Sequence, residues 1–259
     1  MPDYICIGVP YYLGEARKER LEVEALRRSG IAAELGAEWL TITPEFDRAD
    51  DPVVAVNRAL AEAIQTHADK TPVVFANDCT SCLGMMKGLE AKSPAILWYD
   101  SHGDFNTPET TPSGFLGGMP LAALVGRGNQ HLMHGLALKP VAEADVFISD
   151  VRNLDPEEAV MLRGSEVTVF ESLDALDAAT IPDKPLYIHF DTDVVDCAEM
   201  PAMSYPEPDG PTLAESIASL KRALSRGKIA GVLFSLWNST LEGSSEAQEA
   251  TLKLVRALR

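Results

Sequence analysis

Basic side chains are scarce in this chain. Its 259 residues hold 22 lysines and arginines against 39 aspartates and glutamates, a formal charge of −17. A field of that sign repels phosphates and anionic headgroups, so neither nucleic acid nor a membrane surface is an expected partner. Long hydrophobic runs are missing too. No stretch approaches the roughly 18 apolar residues of a membrane span, and the opening MPDYICIGVP places Asp3, with no basic cluster, ahead of its apolar run. A cytoplasmic location is the resulting expectation. Cysteine is sparse: Cys6, Cys79, Cys82 and Cys197 are too few and too irregularly spaced for a disulfide framework. Linkers of low complexity, internal repeats and compositional breaks are lacking, so residues 1–259 are expected to form one domain.

What is present is alternation. Apolar runs at Tyr4–Val9, Trp39–Ile42, Pro72–Ala76, Ala95–Tyr99, Val146–Ser149, Val167–Phe170, Leu186–Phe190 and Ile229–Leu236 read as strands. Segments with helical spacing lie between them, among them Glu15–Arg28, Asp51–His67, Leu83–Ala91, a helix from Pro156, Leu213–Arg226 and a last one ending near Arg259. Continuous apolar strands separated by helices imply a mainly parallel sheet covered on both faces, hence a three-layer α/β/α sandwich with about eight strands. Polar ligands in such folds collect beyond the carboxyl ends of the strands.

Three of those ends carry the chemistry. Asp100-Ser101-His102-Gly103-Asp104 follows AILWY, and its donors at i, i+2 and i+4 point to one side. Alone, the segment is equally compatible with a polar turn. Asp191-Thr192-Asp193 follows LYIHF, so two Asp-rich strand ends share one crevice and their charge calls for a cation. Four carboxylates with His102 suit one or two divalent ions. The third end is Asn77-Asp78-Cys79-Thr80-Ser81-Cys82, after VVFA. Without a second cysteine pair a closed zinc site is not expected; Cys82 reads as packing, and Cys79 as a thiolate turned into the crevice.

These three segments, ANDCT, DSHGD and HFDTDVVD in that order, resemble the strand-end signatures of the ureohydrolases, the family of arginases, agmatinases and formimidoylglutamases. The likeness extends to nearly the whole chain, including GVPYYLGEARKERLEVEALRRSGI, NTPETTPSG and RNLDPEE. It implies an arginase-like fold and two manganese ions, with Asp100 and Asp191 bridging them, His102 and Asp193 completing one site, and Cys79 and Asp104 the other. Cys79 stands where histidine is usual, and a thiolate suits manganese less well than imidazole. The resemblance further implies hydrolysis of a guanidino or related C–N bond by a metal-bridging hydroxide, with Asp104 as the catalytic proton carrier. Asn106, Thr111 and Ser113 would bind a substrate α-carboxylate and Asp155 its α-amino group. The implied substrate is small and cationic or amino-acid-like, and the implied assembly a homo-trimer or homo-hexamer.

The segment SHGDFNTPETT with GFLGGM, and the cysteine itself, are similar to the branch that acts on N-omega-hydroxy-L-arginine. Two positions depart from arginases. Gly117 replaces a proton-shuttling histidine, and Leu236 replaces a glutamate that pairs with the guanidinium. Glu109, Glu242 and Glu246 are the candidate substitutes for that carboxylate. A non-catalytic metal-binding homologue and a formimino-type C–N hydrolase are the competing readings. His189 is expected in the helical layer, away from Asp191 and Asp193; His67, His131 and His134 read as surface or packing residues.

Overall fold

Eight segments pair as a wholly parallel sheet in the computed structural model, which describes residues 3–47 and 51–259. In chain order they are β1 (Tyr4–Val9), β2 (Glu38–Thr41), β3 (Thr71–Ala76), β4 (Ala95–Tyr99), β5 (Val146–Ser149), β6 (Thr168–Phe170), β7 (Leu186–Asp191) and β8 (Ile229–Ser235). Their order across the sheet is β2-β1-β3-β8-β7-β4-β5-β6. The strands β1, β4, β5, β7 and β8 are buried along their whole length, which is why they read as unbroken apolar runs.

Alternation assigns each strand's side chains to one of two cores. Ile96, Trp98, Ile148 and Tyr187 pack with α2 (Pro52–Thr66), α3 (Cys82–Gly88) and α4 (Pro156–Arg163). Leu97, Tyr99, Ile188 and Phe190 pack on the other side with α1 (Glu22–Arg28), α5 (Leu213–Ser225) and α6 (Ser244–Val255). The expected three-layer sandwich is the observed fold. Helix starts follow local capping chemistry: the Asp51 carboxylate accepts the Val53 N–H at 2.8 Å, and Thr212 with Glu215 forms a capping box on α5.

One expected helix is shorter than its periodicity implies. Residues Glu15–Ala16 pair with Tyr11–Tyr12 in a two-residue hairpin, and α1 starts only at Glu22. Tertiary contacts outweigh helix propensity here: the guanidinium groups of Arg17 and Arg20 lie over the Tyr12 ring at 4.8 and 5.0 Å, and Arg20 pairs with buried Glu22.

The chain builds β1 to β3 on one side of the sheet and then crosses to β4, leaving β8 and β7 to fill the gap. At such a reversal the loops diverge and open a crevice. Four adjacent strands therefore deliver their carboxyl ends to one place: Cys79 after β3, Ser235 on β8 with Leu236 just after it, Asp191 on β7 and Asp100 after β4.

Candidate metal centre

The crevice is a cavity of about 480 Å³. Its floor holds Cys79, Asp100, His102, Asp104, Asp191 and Asp193, and its wall holds Asn106, Thr111, Ser113 and Asp155. All ten expected site residues thus line one space.

Short local bonds fix the floor. Asp100 Oδ1 accepts the His102 N–H at 2.7 Å, and its Oδ2 accepts the indole N–H of Trp98 at 3.1 Å. Asp191 Oδ1 accepts the Asp193 N–H at 2.9 Å, so both acidic ends turn back on their own backbone and hold their carboxylates in register. Asp193 accepts the Ser101 hydroxyl at 2.9 Å and faces His102 Nδ1 at 3.0 Å. The Cys79 thiol donates to Asp191 Oδ2 at 3.0 Å and to Ser235 Oγ at 3.3 Å. Asp104 sits at a left-handed φ of +48° and is buried, and its Oδ2 meets no hydrogen-bond donor among the described residues. Such a conformation is costly for a residue with a side chain, and here it aims a carboxylate at the cavity.

These groups ionise against one another. Burial, then repulsion from Asp193, pushes the Asp100 carboxyl up to about 7. Burial and neighbouring carboxylates raise Asp104 and Asp191 well above the usual range, and burial with Asp191 beside it raises the Cys79 thiol. For His102, burial opposes the charged ring, but its bonds to Asp100 and Asp193 prevail and push it up to about 12. Burial opposes Asp193 ionisation, yet His102 and Ser101 hold its carboxyl below the ordinary value. Fully ionised, the cluster would hold more negative charge than His102 neutralises, and Asp104 Oδ2 is a buried acceptor with no donor among the described residues. Cys79, Asp100 and Asp191 bring donor atoms within 4.8 Å of one another, as do Asp100, His102 and Asp193. An oxygen, nitrogen and sulfur donor set of this charge fits divalent cations.

A pH dependence follows. A carboxyl whose pKa is higher folded than unfolded binds extra protons in the native state, so its contribution falls as pH rises through that interval. For Asp100 the interval runs from 3.8 to about 7, and Asp104 and Asp191 act in the same sense. His102, raised from 6.5 to about 12, adds to them above pH 6.5; His189, lowered from 6.5 to about 3, opposes them up to pH 6.5 but is one group against three. Chelator-treated protein is therefore expected to melt lower at about pH 7.5 than at about pH 5. Saturating divalent metal should remove or reverse the difference, which differential scanning calorimetry checks.

The wall is built for a polar ligand. Asn106 Nδ2 donates to Asp155 Oδ2 at 2.9 Å, and Thr111 and Ser113 meet through their hydroxyls at 3.3 Å. Asp155 caps α4, where its N–H donates to Glu158 Oε2 at 3.2 Å. Gly117 lines the cavity, and a Cβ there would meet the Phe115 ring at 2.4 Å. Phe115 packs against Tyr205 with ring centroids 5.2 Å apart at the same cavity. Leu236, only 4 % exposed, presents an apolar surface beside the floor.

Several expectations need correction. Glu109, Glu242 and Glu246 are exposed and do not line the cavity, so none replaces a carboxylate at Leu236. The acid the sequence did not reveal is Glu207, whose Oε1 lies 3.6 Å from His102 Nε2; an irregular loop offers no periodic signal for it. His189 does not face away from the acids. Positions 187, 189 and 191 share one parity, and a ring nitrogen of His189 belongs to the group formed by Cys79, Asp100 and Asp191. Burial pushes its pKa down to about 3, leaving a neutral ring. Cys82 packs in the core as expected, and Trp98 is fully buried.

Fold and crevice together define an α/β/α protein whose strand ends bring together donor groups that could hold a divalent metal ion. The chain belongs to the arginase family, whose family model matches residues 8–258. It is 32% identical to the N(omega)-hydroxy-L-arginine amidinohydrolase of Streptomyces lavendulae over 82% of this chain and 75% of that protein. The crystal structure of arginase from Bacillus cereus superposes with a TM-score of 0.87 at 26% identity, covering 99% of this chain and 98% of that one. Arginase from Bacillus subtilis subsp. subtilis str. 168 gives 0.85 at 27% identity with the same coverage.

Proposed function

We propose that residues 1–259 act as one arginase-like domain, a metal-dependent amidinohydrolase that cleaves a C–N bond of N-omega-hydroxy-L-arginine or a similar small amino-acid-like substrate. The observation that carries this reading is the pairing, in one cavity, of an uncompensated acidic floor with an Asn106, Thr111, Ser113 and Asp155 wall suited to an amino-acid head group. Asp100, His102, Asp104, Asp191, Asp193 and Cys79 would hold two divalent ions, manganese by family resemblance. Bound there, such ions lower the pKa of water and polarise the substrate carbon's substituents.

The chain's own groups supply the rest. Asp104 Oδ2 accepts the proton of the attacking water, since that oxygen is buried and otherwise unbonded. Asn106 and the two hydroxyls donate to a carboxylate, and Asp155 accepts from an ammonium. Leu236 puts an apolar side chain, and no carboxylate, at its point of the wall and favours a substrate of lower basicity, such as a hydroxyguanidine, whose electron-withdrawing oxygen weakens its hold on the proton. With Gly117 in the wall, no side chain there protonates the departing amine, and Asp104 returns to it the proton taken from the water.

Manganese-loaded protein should release hydroxyurea from N-omega-hydroxy-L-arginine faster than urea from arginine or agmatine. Absence of release from every guanidino compound would overturn the amidinohydrolase reading. The Leu236 wall also supports a second reading, a formimino-type C–N substrate, and formamide release from such a compound is its signature. Asp155→Asn keeps the α4 cap but removes the negative partner of an α-amino group. We expect KM to rise roughly tenfold with stability nearly unchanged, the scale of one lost charge-assisted hydrogen bond. Steady-state kinetics with the des-amino analogue should show little change, which separates recognition from damage.

A further inference from the structure

His189 lies beneath the floor of the crevice, beside Cys79, Asp100 and Asp191, with one ring nitrogen unaccounted for. It is 0% exposed, and its ring stacks on Trp98 at 3.5 Å between centroids and 2° between planes. Nδ1 meets the Tyr187 hydroxyl at 2.9 Å, whereas Nε2 is buried with no hydrogen-bond partner among the described residues. A buried polar atom left unpaired is expensive, and native structures rarely keep one without a use. A ring nitrogen of His189 lies with Cys79 Sγ and carboxylate oxygens of Asp100 and Asp191 in a group whose donor atoms are all within 4.8 Å of one another. With Nδ1 engaged by Tyr187, Nε2 is the nitrogen free to serve that group.

We propose that His189 is a metal ligand through Nε2, giving the first ion one sulfur from Cys79, one nitrogen from His189 and oxygens from Asp100 and Asp191. This rests on the reading above that the cluster holds metal. Tyr187 then acts as the outer partner that fixes the ring: Nδ1 carries the proton and donates it to Tyr187 Oη, which orients Nε2 with its lone pair toward the ion. Trp98 clamps the ring face and at the same time holds Asp100 through its indole N–H, so a single side chain orients two donors. A four-donor site containing thiolate and imidazole favours zinc, cobalt or iron(II) over manganese. The second ion, among Asp100, His102 and Asp193, keeps an oxygen-rich set. The two positions therefore differ in metal preference, and a mixed-metal pair is the expected resting form.

Cobalt(II) is the probe that reads this without any assay of turnover. Whole protein loaded with two equivalents should give two histidine ring N–H proton signals shifted outside the diamagnetic range. One arises from His102 and the other from His189, the latter protected from exchange by its burial against Tyr187. Two bound ions with a single shifted ring signal would overturn the assignment of His189 while leaving the metal centre intact; failure to bind cobalt at all would overturn both readings. His189→Gln should lose one signal and weaken binding of the first ion at least about tenfold, because removal of even an outer-shell partner typically costs 10–100-fold. The thiolate-to-cobalt absorption of Cys79 should persist at saturation. Unchanged affinity in a variant with a native circular dichroism spectrum would equally reject the proposal.

Discussion

Asp191→Asn is expected to have opposite effects on the loaded and the metal-free protein. With divalent metal present, the variant should lose more than about 100-fold in kcat/KM, beyond the penalty of an outer-shell change, and bind fewer ions per chain. Without metal it should be the more stable protein. Asp191 is buried against Asp193 and Asp100, and its ionised form has no cationic partner of its own. Folding at neutral pH therefore carries the cost of protonating or burying that charge, which asparagine avoids. The gain should be on the order of 2 kcal/mol, a rise of roughly 4–8 °C in Tm for a chain of this size. A calorimetric scan of wild type and variant, each with chelator and with saturating manganese, reads both signs. A variant less stable than wild type in both states would mean that Asp191 is a structural hydrogen-bonding residue, held for its bonds to Cys79 and the Asp193 N–H.

Leu236→Glu should change both stability and substrate preference. The position is 4 % exposed and its N–H is bonded to the Ala76 carbonyl, so the new carboxylate is held at the cavity wall by the sheet itself. An unpaired charge there should cost about 3 kcal/mol in the ligand-free protein, near the low end for an uncompensated buried charge. In return it offers a partner to a planar cation. We expect hydrolysis of arginine to rise at least about tenfold relative to N-omega-hydroxy-L-arginine, equivalent to one charge-assisted hydrogen bond. Arginine should also raise the Tm of the variant more than that of wild type. Should arginine turnover stay flat while the variant remains folded and metal-bound, Leu236 would not face the reacting carbon.

The sheet and most of its strands were legible because a parallel sheet covered on both faces leaves a simple trace: short apolar runs, each followed by polar residues where the chain meets solvent. Ala95–Tyr99 and Val146–Ser149 match the observed strands residue for residue. The half of the first helix that did not form was hidden because its fate rests on contacts with Tyr12, which local periodicity cannot report. The acidic floor was legible because its residues cluster at strand ends with donor spacing. Glu207 was not, since a loop carries no period and its approach to His102 depends on how the chain folds back. His189 differs from both. Its parity with Asp191 is written in the strand, but a single histidine in an apolar run looks like packing until Trp98, Tyr187 and Cys79 are seen around it.

Leu236 and Gly117 show where family resemblance and local chemistry part. The fold is that of the arginase family, whereas Leu236 places an apolar side chain and Gly117 no side chain at two points of the wall. On the proposed reading a less basic substrate accounts for Leu236, and a proton returned by Asp104 serves the departing amine where Gly117 offers no side chain. Phe115 and Tyr205 add an aromatic pair to the same wall.

The most direct measurement is a titration of chelator-treated protein with divalent metal, following hydroxyurea release from N-omega-hydroxy-L-arginine and bound metal in the same samples. Release should be absent in the metal-free protein and reach its plateau only as the second ion per chain binds. Full occupancy without release of hydroxyurea, urea or formamide from any guanidino or formimino compound would contradict a hydrolytic role for the crevice.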